Sequence, residues 1–154
     1  MSNELVLEAF SEILQREGLD RALAFLNGSV PLRYTAVNRY AGLLMKSVGF
    51  YDALGEGRPS FLSAIPMEKS LAQFIKPGMP FRTDDSSKDE RLVAPIFERF
   101  IFSYHGTALV TPAGQLWGVI CHYDFAPIAL PDDAFEVLEL VAPVVAAFAV
   151  DPHR

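Results

Sequence analysis

The sequence predicts an α+β fold: a central antiparallel β-sheet covered by helices on both faces, with the N- and C-terminal helices packed together. Three observations predict it. Helical periodicity occupies both ends of the chain. Strand-like runs fill the middle and are joined by short turns, which pair neighbours antiparallel. Two of those runs are apolar on both alternating faces, the pattern of strands covered above and below rather than on one side.

The elements follow in order. Residues 4–17 read as an amphipathic helix, because Val6, Phe10, Ile13 and Leu14 recur at helical spacing between Glu8, Glu12 and Arg16. Gly18 ends it. A shorter helix at about 19–26 carries Leu19, Leu23, Phe25 and Leu26 and stops at Asn27-Gly28. Tyr34 to Tyr40 and Leu43 to Tyr51 read as a hairpin turning at Ala41-Gly42. Asp52 to Pro59 reads as a loop, and Phe61 to Ile65 as a short strand. Met67 to Ile75 has a helical pattern broken by Lys76-Pro77-Gly78. Phe81 to Thr83 suits a very short strand, Asp84 to Arg91 an exposed polar segment, and 92–100 a turn or two of helix.

The clearest hairpin is Ser103 to Val110 and Leu116 to Asp124, joined by Thr111-Pro112-Ala113-Gly114-Gln115. Pro112 fits the second position of a type I turn, and Gly114 the left-handed position that closes it. The last helix spans about 132–149 on Phe135, Leu138, Val141, Val145 and Phe148. Asp133 and Glu136 have capping-box spacing, and Pro143 is expected to kink the helix.

These elements account for one domain over residues 1–154, with a core at about 19–149. The 154-residue chain has 51% hydrophobic and 21% charged residues, which excludes a disordered tail. No apolar run spans a bilayer, and the N-terminus with Glu4 and Glu8 is not a secretory signal. A single cysteine, Cys121, forms no internal disulfide, so a cytoplasmic location is expected. The net charge of -6, with no basic cluster, argues against direct nucleic-acid binding and against an anionic membrane surface.

Four strings in this order resemble a GAF domain over roughly residues 19–149. They are Tyr34-Thr35-Ala36-Val37-Asn38-Arg39-Tyr40-Ala41-Gly42, and Ile65-Pro66-Met67-Glu68-Lys69-Ser70-Leu71 with Gly78-Met79-Pro80-Phe81 and Asp84-Asp85. Next come Gly114-Gln115-Leu116-Trp117-Gly118-Val119-Ile120-Cys121 with Tyr123-Asp124, and the final helix with Leu138, Leu140, Ala142 and Pro143. The resemblance implies a small-molecule cavity between the sheet and the segments after the second strand. By position its wall falls on Phe50, Phe61, Phe74, Phe81 and Asp84, and its floor on Tyr104, Thr107, Cys121 and Tyr123.

The chemistry-bearing residues are few. Cys121 suits either a redox thiolate or a small apolar strand residue, and the second is expected. Cys121-His122 resembles the pair that bilin-binding members use, but a strand sends the two side chains to opposite faces. Members that reduce free methionine sulfoxide need an attacking and a resolving thiol, and one cysteine does not supply both. His105, His122 and His153 lack metal-ligand spacing, leaving haem ligation by His105 or His122 open. Asp84, Asp85, Asp89 and Glu90 do not match a calcium loop, and Gly55-Glu56-Gly57 is not a phosphate loop. The asparagine–lysine–phenylalanine–aspartate pattern of cyclic-nucleotide-binding members is not found. Arg82 and Arg91 could clamp a ligand anion or pair with nearby acids. No metal or cofactor is implied.

The leading expectation is therefore a non-enzymatic, small-molecule-sensing regulatory module of unknown ligand, with the terminal helices as its output. The alternative is an interaction module, a homodimer seamed by Val6, Phe10, Leu138, Val145 and Phe148. A thiol-based methionine sulfoxide reductase is the third reading.

Overall fold

A computed structural model describes residues 2–92 and 101–150. The expected helical turns around 92–100 lie for the most part outside the described residues, as does His153. Helix α1 spans Asn3–Glu17 and α2 Leu19–Asn27. Ser2 caps α1 through its hydroxyl, which accepts from the Leu5 amide. Gly18 separates the two helices at φ 93°, a conformation that costs glycine nothing.

Six strands follow: β1 Tyr34–Ala41, β2 Leu44–Asp52, β3 Ala64–Pro66, β4 Phe81–Thr83, β5 Ser103–Val110 and β6 Leu116–Asp124. They form one antiparallel sheet in the order β3-β2-β1-β6-β5-β4. The long hairpin forms as predicted: Gly114 takes φ 81°, its amide donates to the Thr111 carbonyl, and the Thr111 amide donates to Gln115. The strands beside that turn, β5 and β6, lie inside the sheet, with only the three-residue β4 beyond β5. Gly118 is needed for a second reason. A Cβ there would collide with the Asn38 carbonyl on β1, so β6 approaches β1 closely only because this residue has no side chain. Beyond β3 the edge of β2 is covered by α2, whose Asp20 carboxylate accepts from the Phe50 amide at 3.0 Å.

The sheet divides the interior into two cores. Helices α1, α2 and α3 (Asp132–Val150) cover one face, where Phe10, Leu14, Leu23, Val37, Leu109, Ile120, Leu138 and Val145 pack. The N- and C-terminal helices pack together there. The other face carries Tyr34, Ala36, Met45, Phe81, Tyr104, Cys121 and Tyr123 beneath Leu62, Leu71 and Ile75. Its helical cover consists of single 3-10 turns, Ser60–Leu62, Met67–Lys69 and Leu71–Phe74, together with loops. We call these the helix side and the pocket side.

Several local expectations are corrected. Met67 to Ile75 is not one helix, because Ser70 is extended and caps the next turn through the Ala72 amide. Phe61 to Ile65 is a 3-10 turn followed by β3, not one strand. Asp133 does not cap α3 but lies within its first turn. The predicted dimer seam also fails in its composition. Phe10, Leu138 and Val145 are fully buried inside the monomer, leaving only Val6 and Phe148 partly exposed.

Candidate functional site

The pocket side is built by strand parity. On β1, Tyr34, Ala36, Asn38 and Tyr40 alternate onto it. On β5 and β6, Tyr104 faces Tyr123 across the ladder and Gly106 faces Cys121. Tyr34 stacks on Tyr123 with ring centroids 5.0 Å apart, and Phe125 and Phe50 lie 5.0 and 5.5 Å from Tyr34. Phe74 stacks on Phe81 at 5.0 Å. Aromatic pairs at these separations contribute beyond their buried area. Phe50, Phe74, Phe81, Tyr104, Cys121 and Tyr123 thus meet in one cluster, as expected. The side chain of Phe61 lies outside the described residues.

Two expected members are elsewhere. Thr107 faces the helix side, three residues from Tyr104 along one strand and therefore of opposite parity. It borders a groove of about 380 Å³ between β5 and α3, with Ala142 and Ala146 opposite. Asp84 follows the end of β4, is exposed, and borders an open cleft of about 970 Å³ with Arg82 and Asp132. Arg82 pairs with Asp132 at 2.8 Å and Arg91 with Asp89 at 2.6 Å, and the lining as a whole carries five acids, Asp84, Asp85, Asp89, Glu90 and Asp132, against Arg82, Lys88 and Arg91.

The described residues of the pocket side enclose a void of about 20 Å³, room for about one water. Asn38, Ser70 and Tyr104 border it, together with Leu62, Leu71 and Ile101. Tyr104 is 5% exposed, and its hydroxyl has no conventional hydrogen-bond partner among the described residues. The thiol of Cys121 lies beside it, a weak partner at best. Burial, first of all, holds the Tyr104 phenol well above its ordinary range. Sequence reasoning missed Tyr34, Asn38 and Phe125. Counting by twos along β1 from Tyr34 would have found Asn38; Ser70 carries no comparable signal.

Cys121 is fully buried and its thiol donates to the Ala36 carbonyl at 3.7 Å. Burial pushes its pKa up to about 12, so it is not a thiolate near neutral pH. His122, its neighbour, faces the helix side, fully buried and bonded to Thr35. His105 is also buried on the helix side. Among the described residues no three His, Cys, Asp or Glu side chains are grouped to hold a metal ion. No described helix is long and apolar enough to cross a membrane.

No protein-family model and no curated protein matches this chain. Solved structures do. The GAF domain of an Acinetobacter phosphoenolpyruvate-protein phosphotransferase superposes with a TM-score of 0.72 at 13% identity, covering 100% of both chains. The chromophore-binding domain of the bacteriophytochrome RpBphP3 from R. palustris gives 0.69 at 14% identity, covering 94% of this chain. The present chain spans only 59% of that domain. Free methionine-R-sulfoxide reductase from Neisseria meningitidis, solved with its substrate, gives 0.69 at 16% identity, covering 94% of this chain and 86% of that one. Identities this low carry the architecture and no activity. The sheet order, its two-sided cover and these superpositions establish that the chain has the GAF-domain fold.

Proposed function

We propose that this chain is a sensory and regulatory module whose ligand enters the pocket side, between Tyr104 and the 3-10 turns of residues 67–74. One observation carries the proposal. A 5% exposed tyrosine presents to a void that also borders Asn38 and Ser70 a hydroxyl that, among the described residues, has only the weak Cys121 thiol beside it. A purely structural core would put phenylalanine there, because an unmet buried hydroxyl costs about 1–3 kcal/mol. Among the described residues the void has room for about one water, so a larger ligand there would require the short turns to move outward. They are suited to that, being single turns tied by few long-range bonds. The ligand class that fits is a small molecule with a hydrogen-bonding group at one end and an apolar or aromatic body to lie on Tyr34 and Tyr123.

A thermal-shift screen of amino acids, nucleotides, small carboxylates and aromatic metabolites tests this. A stabilising compound should lose its effect in Tyr104→Phe. A hit that persists in that variant moves the site elsewhere. The absence of any hit, with the pocket side filled by its own side chains, removes the support for sensing.

A second reading has its own observation. From Leu140 to Val150 the helix α3 bears no charged side chain, yet Leu140 is 42% exposed and Pro143 and Ala147 face outward. A helix apolar on every side is ordinarily buried. We infer a homodimer through the outer face of α3, near the exposed Leu5 of α1, rather than through the seam predicted from sequence. Light scattering of Leu140→Glu against the parent measures it, and a parent that is monomeric at high concentration discards it. The thiol enzyme is the least supported function, because Cys121 is buried and has no second thiol. A cytoplasmic setting without direct nucleic-acid or membrane contact fits the single reduced thiol and the net charge of -6.

A further inference from the structure

A polar row crosses the helix side of the sheet at right angles to the strands. The register sets Thr35 opposite His122, His122 opposite His105, and His105 opposite Arg82, on β1, β6, β5 and β4 in turn. Thr35 and His122 are 0% exposed and His105 1%. Each end is tied to a helix. Asn27, in the last turn of α2, donates to the Leu32 carbonyl at 3.1 Å and to Thr35 Oγ1 at 2.9 Å. Arg82 donates through Nε to His105 Nδ1 at 3.2 Å. It also donates to the Leu130 carbonyl at 2.7 Å and to Asp132 at 2.8 Å, and lies over the Phe135 ring.

The outer bonds have a direction. Asn27 donates to Thr35 Oγ1, which shares a 2.7 Å hydrogen bond with His122 Nδ1 whose direction follows the tautomer of that ring. Arg82 has no acceptor, so His105 Nδ1 must accept. The Arg82 donor assigns His105 to the neutral form with hydrogen on Nε2. Neither Nε2 has a full hydrogen-bond partner among the described residues, and the nearest acid, Asp84, is 3.5 Å from His105 Nε2.

We propose that this row is a relay that couples β4 to the ends of α2 and α3. Strand β4 suits such a role because it has three residues of alternating parity. Phe81 and Thr83 face the pocket side, and Arg82 alone enters the row. A shift of Phe81 on the pocket side therefore moves Arg82 on the other. Arg82 in turn holds the first turn of α3 and fixes the His105 proton. His105 and His122 lie side by side in the register with no hydrogen bond between the rings among the described residues, so the row passes a shift on to Thr35 and Asn27 by packing and charge. In the sensory reading this is the path from pocket to output helices; what the relay transmits rests on that reading, while the coupling itself is a property of the ligand-free protein.

A double-mutant cycle between Arg82→Gln and Asn27→Ala in the ligand-free chain, read by urea unfolding at pH 7.5, tests the relay. Thr35 and Arg82 are three strand spacings apart, about 14 Å, and Asn27 lies on α2 beyond Thr35. Substitutions at that distance ordinarily add. The relay predicts that the double variant's unfolding constant departs at least fivefold from the product of the single effects. It also predicts that Arg82→Gln shifts the imidazole nitrogen resonances of His122, which Arg82 does not touch. Agreement with additivity within twofold, together with unmoved His122 resonances, overturns it. Should either variant fail to fold, Arg82→Lys and Thr35→Val, which keeps the shape of Thr35 and removes its hydroxyl, supply the same cycle. A failed ligand search leaves this result standing, and additivity here leaves the pocket untouched.

Discussion

Acidification from pH 7.5 to 4.5 should remove about 5 kcal/mol of stability, and two buried histidines should account for nearly all of it. Burial, and then the neighbouring Arg82, lower the His105 pKa to about 4. Burial, and then His105, lower that of His122 to about 3. Both groups have an ordinary value of 6.5 in the unfolded chain. The unfolded state therefore binds more protons than the native state across this window. Stability is fully present above pH 6.5 and falls as pH drops, until each folded-state pKa is passed. At pH 4.5 the unfolded imidazoles are about 100-fold protonated and the native ones scarcely so. The linkage is thus roughly 2–3 kcal/mol for each histidine, or about 5 in total. That is comparable to the whole stability of a small domain. Asp52 and Asp89 do not confuse the window, because both are lowered below the ordinary carboxylate value, Asp52 by Arg33 and Asp89 by Arg91, and titrate in more acid solution. Urea unfolding at half-unit pH intervals measures the slope, which should approach two protons near pH 5. Resonances of His105 or His122 that titrate near 6.5 in the native protein, or a slope below one proton, would refute the argument.

Four further outcomes follow from the same structure. Tyr104→Phe should change stability by less than about 0.5 kcal/mol or raise it, since the deleted hydroxyl meets no full partner; a loss above about 1 kcal/mol in urea would reveal one. Arg33→Gln should cost about 3 kcal/mol, because the Asp52 carboxylate that it holds at 2.7 Å is 2% exposed and would stay buried without its cation. Calorimetry of that variant should show the drop. Cys121 should resist a thiol reagent such as Ellman's in the native state and react only on unfolding; reaction within the mixing time would restore the thiol-enzyme reading. Gly118→Ala should prevent folding or lower Tm by well over 10 °C, because its Cβ meets backbone rather than a side chain that can turn aside.

Much of this fold was legible in local chemistry. The Thr111–Gln115 turn declared its hairpin through Pro112 and Gly114, and the doubly apolar strands beside it declared their inner position. What escaped depended on pairing between distant segments. Thr107 was assigned to the pocket although simple alternation from Tyr104 sends it to the other face. Asp84 falls in the pocket wall only by position in the GAF resemblance, and β4 is too short to display an alternation that would have corrected it. Residues 67–75 imitate one helix because Leu71, Phe74 and Ile75 have spacings that a 3-10 turn shares. The row from Thr35 to Arg82 had no local sign at all, since it exists only once four strands take their register.

The sheet acts as a partition wall between two compartments furnished differently. On one side aliphatic side chains interlock with three long helices; on the other, aromatic rings lie beneath short turns. A change at Leu71 is felt first within the pocket-side cluster, whereas Phe74, stacked on Phe81, has β4 and Arg82 as its route across the wall. The rings and turns therefore form a set that varies largely on its own terms, giving new recognition surfaces on a scaffold whose fastening lies next door.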